Sequence, residues 1–291
     1  MNQRFTKAKL SHLGVTPSKR RGQNFLLDPA RAITIADFAD IKPAEWVLEI
    51  GPGLGMLTGE LAKKTSNLTL VEVDRKLHAA LLGKFPYLDP QEILCQDISK
   101  VDLSSLSHSR QQKCTVVGNI PYSISTEIIF WILKHRAAIS RVSLLMQKEF
   151  ANRLSSQPGS KSYGSITIQL ALHANVRLGP IIKGEQFYPS TKVDSQLIMI
   201  SMLDSPSVAI TDPLHFERVV RTCFSTRRKT MLNCLTLLDE VESKTQALGI
   251  LSTANVSPTR RPETLEPHEF AAICNALSTL STSERDSFYA I

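Results

Sequence analysis

A chain of 291 residues, 42% apolar and 21% charged, is long enough for one large domain or for a core domain with a smaller companion. Its composition excludes fibrous and disordered classes, and no run approaches the roughly 18 apolar residues of a membrane span. The N-terminus carries no apolar signal-peptide centre. The five cysteines are scattered and form no zinc or disulfide pattern, so a reducing, cytoplasmic setting without metal is expected. The net charge of +7 gathers at Lys7, Lys9, Lys19, Arg20 and Arg21 and again at Arg218, Arg221, Arg227, Arg228 and Lys229. Such clusters favour a polyanionic partner.

After a basic arm spanning residues 1–27, Asp28-Pro29 reads as an N-cap followed by proline at the first helical position. Ala32, Ile33, Ala36, Phe38 and Ala39 then supply a helical apolar face. Trp46 to Ile50 has the pattern of a buried strand and runs directly into a glycine loop. A helix over Met56 to Lys64, a strand over Leu68 to Val73 and a helix over Arg75 to Lys84 follow. Short strands near Glu92 to Cys95 and over Cys114 to Val117 come next, then a helix from Ser125 to Leu133, a strand from Val142 to Met146 and a helix from Lys148 to Leu154. Pro158 to Ser165 reads as a polar loop, Leu197 to Met202 as a strand and Asp204 to Ser207 as a linker. Strands alternating with helices predict an α/β fold, a parallel sheet with helices on both faces, over residues 28–204. Phe216, Val220, Phe224, Met231, Leu235 and Leu238, and later Phe270, Ile273 and Leu277, recur at helical spacing. Residues 205–291 are therefore expected to form a small all-α domain.

The loop Gly51-Pro52-Gly53-Leu54-Gly55 follows a strand and opens a helix, a crevice where open α/β sheets bind nucleotide-like ligands. By itself it suits NAD as well as S-adenosylmethionine. Glu72, about 20 residues on, can accept both ribose hydroxyls of either cofactor. Asp97 after the third strand can receive an adenine amine, with a helix N-cap as its competing role. Asn119 ends the fourth strand. Polar groups at the ends of four successive strands favour a methyltransferase using S-adenosylmethionine, and no hydride-transfer constellation accompanies them.

The chain's most specific tetrapeptide is Asn119-Ile120-Pro121-Tyr122. An adenine N6 amine is a poor nucleophile because its lone pair is delocalised into the ring. Two acceptors gripping its hydrogens, the Asn119 side-chain oxygen and the Ile120 carbonyl held by rigid Pro121, favour a pyramidal nitrogen. Tyr122 offers a stacking face worth about 1–3 kcal/mol to an extruded base. Displacement at a sulfonium needs positioning more than acid or base catalysis. Elsewhere an Asn and a Pro-Tyr pair would read as an ordinary turn.

These motifs, with Arg21 to Leu26, Val47 to Gly55, Ser123 to Thr126, Met146 to Glu149, Tyr163-Gly164, Lys192 to Ser195, Arg227 to Thr230 and Arg261 to Glu263, closely resemble the ribosomal RNA adenine dimethyltransferase family. The small-subunit enzymes are nearest, and the likeness covers nearly the whole chain. The resemblance implies a Rossmann-like class I methyltransferase with a seven-stranded sheet, one strand antiparallel, and a helical C-terminal RNA-recognition domain. It implies two methyl groups placed on each of two adjacent adenosines in a hairpin near the 3′ end of the small-subunit RNA. The expected partner is that RNA within a pre-ribosomal 30S particle, met by a monomeric enzyme. Cofactor contacts are expected at Asn24, Leu26, Gly51, Gly53, Glu72, Asp97 and Asn119. RNA contacts are expected at Arg20, Arg21, Arg221, Arg227, Arg228 and Lys229. Phe187 resembles the aromatic that covers the other face of the base, with a core phenylalanine as the competing reading. Thr191 and Ile120 depart from the usual small-subunit pattern. Ile120 also resembles the antibiotic-resistance methyltransferases of the large subunit, and a largely binding-type assembly factor is a further alternative.

Overall fold

The structure, a computed structural model, describes residues 3–18 and 22–288, with side chains as far as Ser278. Residues up to Asn152 with Asn175–Met202 form one compact unit, and Arg153–Ala174 with the chain from Leu203 onward form another.

The first unit begins with α1 (Gln3–His12), β1 (Phe25–Leu26) and α2 (Pro29–Phe38). The Asp28 carboxylate caps α2 by accepting from the Ala30 N–H, and Pro29 occupies the first turn. β2 (Trp46–Ile50), α3 (Met56–Leu61), β3 (Leu68–Glu72), α4 (Arg75–Lys84), β4 (Ile93–Cys95), α5 (Leu103–Arg110), β5 (Cys114–Asn119), α6 (Ser125–Lys134) and β6 (Ile139–Gln147) follow. α7 (Lys148–Leu154) and α8 (Ser165–His173) precede β7 (Ala174–Ile182), β8 (Phe187–Tyr188) and β9 (Ser195–Met202). Seven strands form one sheet in the order β4-β3-β2-β5-β6-β9-β7. β2 is parallel to β3 and β5, β4 to β3, and β6 to β5, whereas β9 runs antiparallel to β6. Every residue of β2 and β3 is buried, as expected of strands covered on both faces. β1 and β8 pair antiparallel in a separate two-stranded ribbon.

The second unit holds α9 (Pro213–Ser225), α10 (Met231–Leu235), α11 (Lys244–Thr253) and α12 (Pro267–Phe288). Its core includes Phe216, Val220, Met231, Leu251 and Phe270, together with Tyr163, Ile168 and Leu172. The Tyr163 hydroxyl donates to the Leu265 carbonyl at 2.9 Å. The boundary near residue 204 therefore has a companion: residues 153–174, read from sequence as part of the sheet domain, bury their apolar side chains in the helical unit. The basic arm likewise contains a helix, α1, whose Leu10 is buried with Val15, Phe25 and Leu77.

Candidate active site

The carboxyl ends of β2, β3, β4 and β5 open on a cleft of 1320 Å³. Asn24, Leu26, Gly51, Gly53, Glu72, Asp97 and Asn119, the residues expected to hold a cofactor, all line it. The backbone explains the glycines: φ is +65° at Gly51, +57° at Gly53 and +69° at Gly55, a region costly for residues with a Cβ. At Gly55 the space is also closed, because a Cβ would lie 2.5 Å from the Phe85 ring. The loop carbonyls are tied back by Lys84, whose Nζ donates to Leu54 O at 2.7 Å and Gly55 O at 2.8 Å. Sequence reasoning missed Lys84, since a basic residue in the last turn of a helix carries no signal of a 30-residue reach.

Glu72 is buried, and its two oxygens accept from Gly53 N at 3.0 Å and Asp74 N at 2.9 Å. Burial raises its pKa above the usual carboxylate range, opposed by these backbone donors. Beneath it lies Glu49, fully buried, with Thr58 Oγ1 donating to it at 2.6 Å. Desolvation pushes the Glu49 pKa up to about 8. Asp97 takes the capping role read for it and also lines the cleft. Its Oδ1 caps the turn Ile98–Lys100 through Ser99 N, while the exposed residue faces the cleft.

At the other end, Asn119 Nδ2 donates to the Asn24 carbonyl at 3.0 Å. With the amide so oriented, Oδ1 is left as the acceptor for the cleft. Ile120 buries its side chain, and its N–H donates to Leu145 O at 3.2 Å. Among the described residues none donates to the Ile120 carbonyl. Pro121, at φ −59° and ψ 134°, turns the chain into the short helical turn Tyr122–Ile124. Tyr122 is half-buried and lines the cleft, its hydroxyl 2.6 Å from Ser195 Oγ.

Phe187 corrects an expectation. It is 0% exposed and packs in a core with Leu26, Ile35, Val47 and Leu197, so no face is open to a base. Cross-strand pairing of Leu26 with Phe187 holds it there, and the core reading stands. The aromatic side chains lining the cleft are Phe25 and Tyr122.

Of the residues expected to bind RNA, Arg20 and Arg21 lie outside the described residues. Arg221, Arg228 and Lys229 are exposed on the helical unit. Arg227 is engaged internally: Nε donates to Glu263 Oε2 at 2.8 Å and Nη1 to the Lys161 carbonyl at 3.0 Å. It pins the loop before α8 to the turn before α12.

A strand-loop-helix glycine turn, buried carboxylates on the cleft wall and polar groups at successive strand ends define a class I methyltransferase using S-adenosylmethionine. The cleft fits that cofactor. The loop glycines place no side chain in it, and Glu72 and Asp97, at successive strand ends, would hold the ribose and the adenine. Residues 16–272 match the family described as ribosomal RNA adenine dimethylase, and the chain belongs to it. It is an S-adenosylmethionine-dependent ribosomal RNA adenine dimethyltransferase. The ribosomal RNA small subunit methyltransferase A of Geobacter metallireducens is 38% identical over 268 residues, covering 92% of this chain and 98% of that one. Its counterpart from Geobacillus thermodenitrificans is 37% identical over 280 residues, with coverage of 94% and 96%. Among solved structures, a dimethyladenosine transferase from Plasmodium falciparum superposes with a TM-score of 0.71 at 22% identity, covering 88% of this chain and 98% of that one. The 23S rRNA methyltransferase ErmE gives 0.67 at 23%, with coverage of 87% and 99%. At such identities these structures speak for the fold alone.

Proposed function

We propose that the enzyme methylates N6 of two adjacent adenosines in a hairpin near the 3′ end of small-subunit ribosomal RNA, giving N6,N6-dimethyladenosine. It acts as a monomer on an assembling 30S particle in the cytoplasm. The relatives that align over nearly their whole length carry small-subunit names, and the sequences Arg227 to Thr230 and Arg261 to Glu263 resemble that branch. Among the described residues no helix is long and apolar enough to cross a membrane.

The observation that carries the reaction is the pair of open acceptors at Asn119 and Ile120 beside the Tyr122 ring. S-adenosylmethionine supplies an electrophilic methyl group on sulfur. Asn119 Oδ1 and the Ile120 carbonyl draw the two N6 hydrogens and turn the lone pair toward the donor. Tyr122 supports the extruded adenine by stacking. Glu72 receives the ribose hydroxyls, Asp97 the cofactor amine, and Asn24, Leu26, Gly51 and Gly53 shape the floor. In this reading residues 1–27 form a basic arm, 28–204 the catalytic domain and 205–291 the RNA-recognition domain. Arg20, Arg21, Arg221, Arg228 and Lys229 meet phosphates.

Small subunits from a strain lacking the enzyme, incubated with labelled S-adenosylmethionine, are expected to gain N6,N6-dimethyladenosine at two neighbouring positions. Label in the large-subunit RNA instead, or none with folded enzyme, overturns the proposal. Asn119→Ala is expected to lower kcat by about a hundredfold or more, the scale for losing one preorganised polar contact to a reacting group, with cofactor affinity changed far less.

A further inference from the structure

The segment Lys192-Val193-Asp194-Ser195 stands out in the sequence, yet the reaction as described gives it no task. Its last residue touches the substrate tetrapeptide. Ser195 Oγ lies 2.6 Å from the Tyr122 hydroxyl across 73 residues of chain, and Ser195 is 0% exposed.

Strand polarity explains how so distant a residue arrives there. β5 and β6 are parallel with Asn119 opposite Leu145, and β9 runs against β6 with Leu197 opposite Leu145 and Ser195 opposite Gln147. A strand of reversed direction starts where its parallel neighbours end. The first residue of β9 therefore sits at the carboxyl edge, where the chain leaves β5 through Ile120 and Pro121. Ser195 is also anchored from behind. The Asp194 carbonyl accepts from Lys148 N at 3.0 Å, while its carboxylate accepts from Lys183 Nζ at 2.9 Å and Gly184 N at 3.2 Å.

We infer that Ser195 is a positioning residue for base binding, holding the phenol of Tyr122 so that the ring presents one fixed plane to the target adenine. The inference rests on the proposed stacking role of Tyr122. A tyrosine tethered only at its backbone swings about χ1, and stacking aligns the amine with the methyl donor only if the ring plane is fixed. A bond at the far end of the ring removes that swing. Both hydroxyls are satisfied by it, as half-buried phenols and buried serines require.

The test compares Ser195→Ala, Tyr122→Phe and the double variant on small subunits lacking the modification, with cofactor affinity measured by calorimetry. Labelling by the wild type carries the functional proposal, and the ratio of variant to wild type carries this one. Each single substitution removes one neutral hydrogen bond and keeps the side-chain volume nearly unchanged. Each is expected to lower kcat by about five- to tenfold. The double variant is expected to lose no more than either single one, and cofactor affinity to stay within about twofold. Tyr122→Phe keeps the stacking face, so it tests the same bond even if Ser195→Ala folds poorly. Wild-type rates in either single variant, multiplicative losses in the double, or an equal fall in cofactor affinity overturn the inference.

Discussion

Gly51, Gly55 and Gly59 form a graded series in which one methyl group has three different fates. At Gly55 an added Cβ meets Phe85 Cε2 at 2.5 Å, Phe85 Cζ at 2.9 Å and Leu81 Cδ2 at 3.1 Å, on a backbone with φ +69°. Left-handed strain costs about 1–2 kcal/mol, and forcing a packed ring aside costs about 1–3 more. Gly55→Ala is therefore expected to lose about 2–5 kcal/mol of folding stability. Gly51 has φ +65° but no atom within 4 Å of the added Cβ, so Gly51→Ala bears the strain alone, about 1–2 kcal/mol. Gly59 lies within α3 with open space around it, and Gly59→Ala is expected to gain about 0.5–1 kcal/mol. Urea unfolding of the cofactor-free protein measures all three. Equal losses at Gly51 and Gly55, or a loss at Gly59, would refute the reasoning.

The buried Glu49 has a folded pKa of about 8 against an ordinary 4.5, so the native state keeps a proton that the unfolded chain releases. Its contribution to stability falls as pH rises from 4.5 toward 8. Glu49→Gln still accepts from Thr58 and is expected to flatten that decline, read from unfolding midpoints across the pH window; an unchanged slope would assign the decline elsewhere. Arg227→Ala removes the bonds to Glu263 and Lys161 and is expected to destabilise the helical unit by about 0.5–1.5 kcal/mol without changing the salt dependence of RNA binding. Arg228→Ala and Lys229→Ala are each expected to leave stability alone and to reduce the slope of log affinity against log salt by about 1. A filter-binding titration at several salt concentrations separates the two patterns.

The sheet was legible where burial is local. Trp46 to Ile50 and Leu68 to Glu72 are uninterrupted apolar runs apart from Glu49, Thr69 and Glu72, and all lie buried in the middle of the sheet. The glycine loop and the Asp28 cap announce themselves within a few residues. What escaped depends on distant partners. β7 shows no alternation because its residues vary irregularly in exposure, and α1 is a polar helix burying only Thr6 and Leu10. α8 is apolar around most of its circumference, so its pattern does not say which core receives it. Arg227 and Phe187 have the side chains of a phosphate ligand and a stacking ring. Only a glutamate 36 residues away and a cross-strand leucine reveal them as internal supports.

The antiparallel course of β9 also divides the site in folding time. Gly53, Glu49, Thr58, Glu72 and Asp97 belong to one continuous stretch, and the Gly53–Glu72 bond spans only 19 residues. Tyr122 must wait for a partner 73 residues later in the chain, and Asn119 for one 95 residues earlier. Contacts of short sequence separation cost less loop entropy and form first. A refolding chain is thus expected to close the glycine-loop and Glu72 side of the cleft before the side that holds Asn119 and Tyr122.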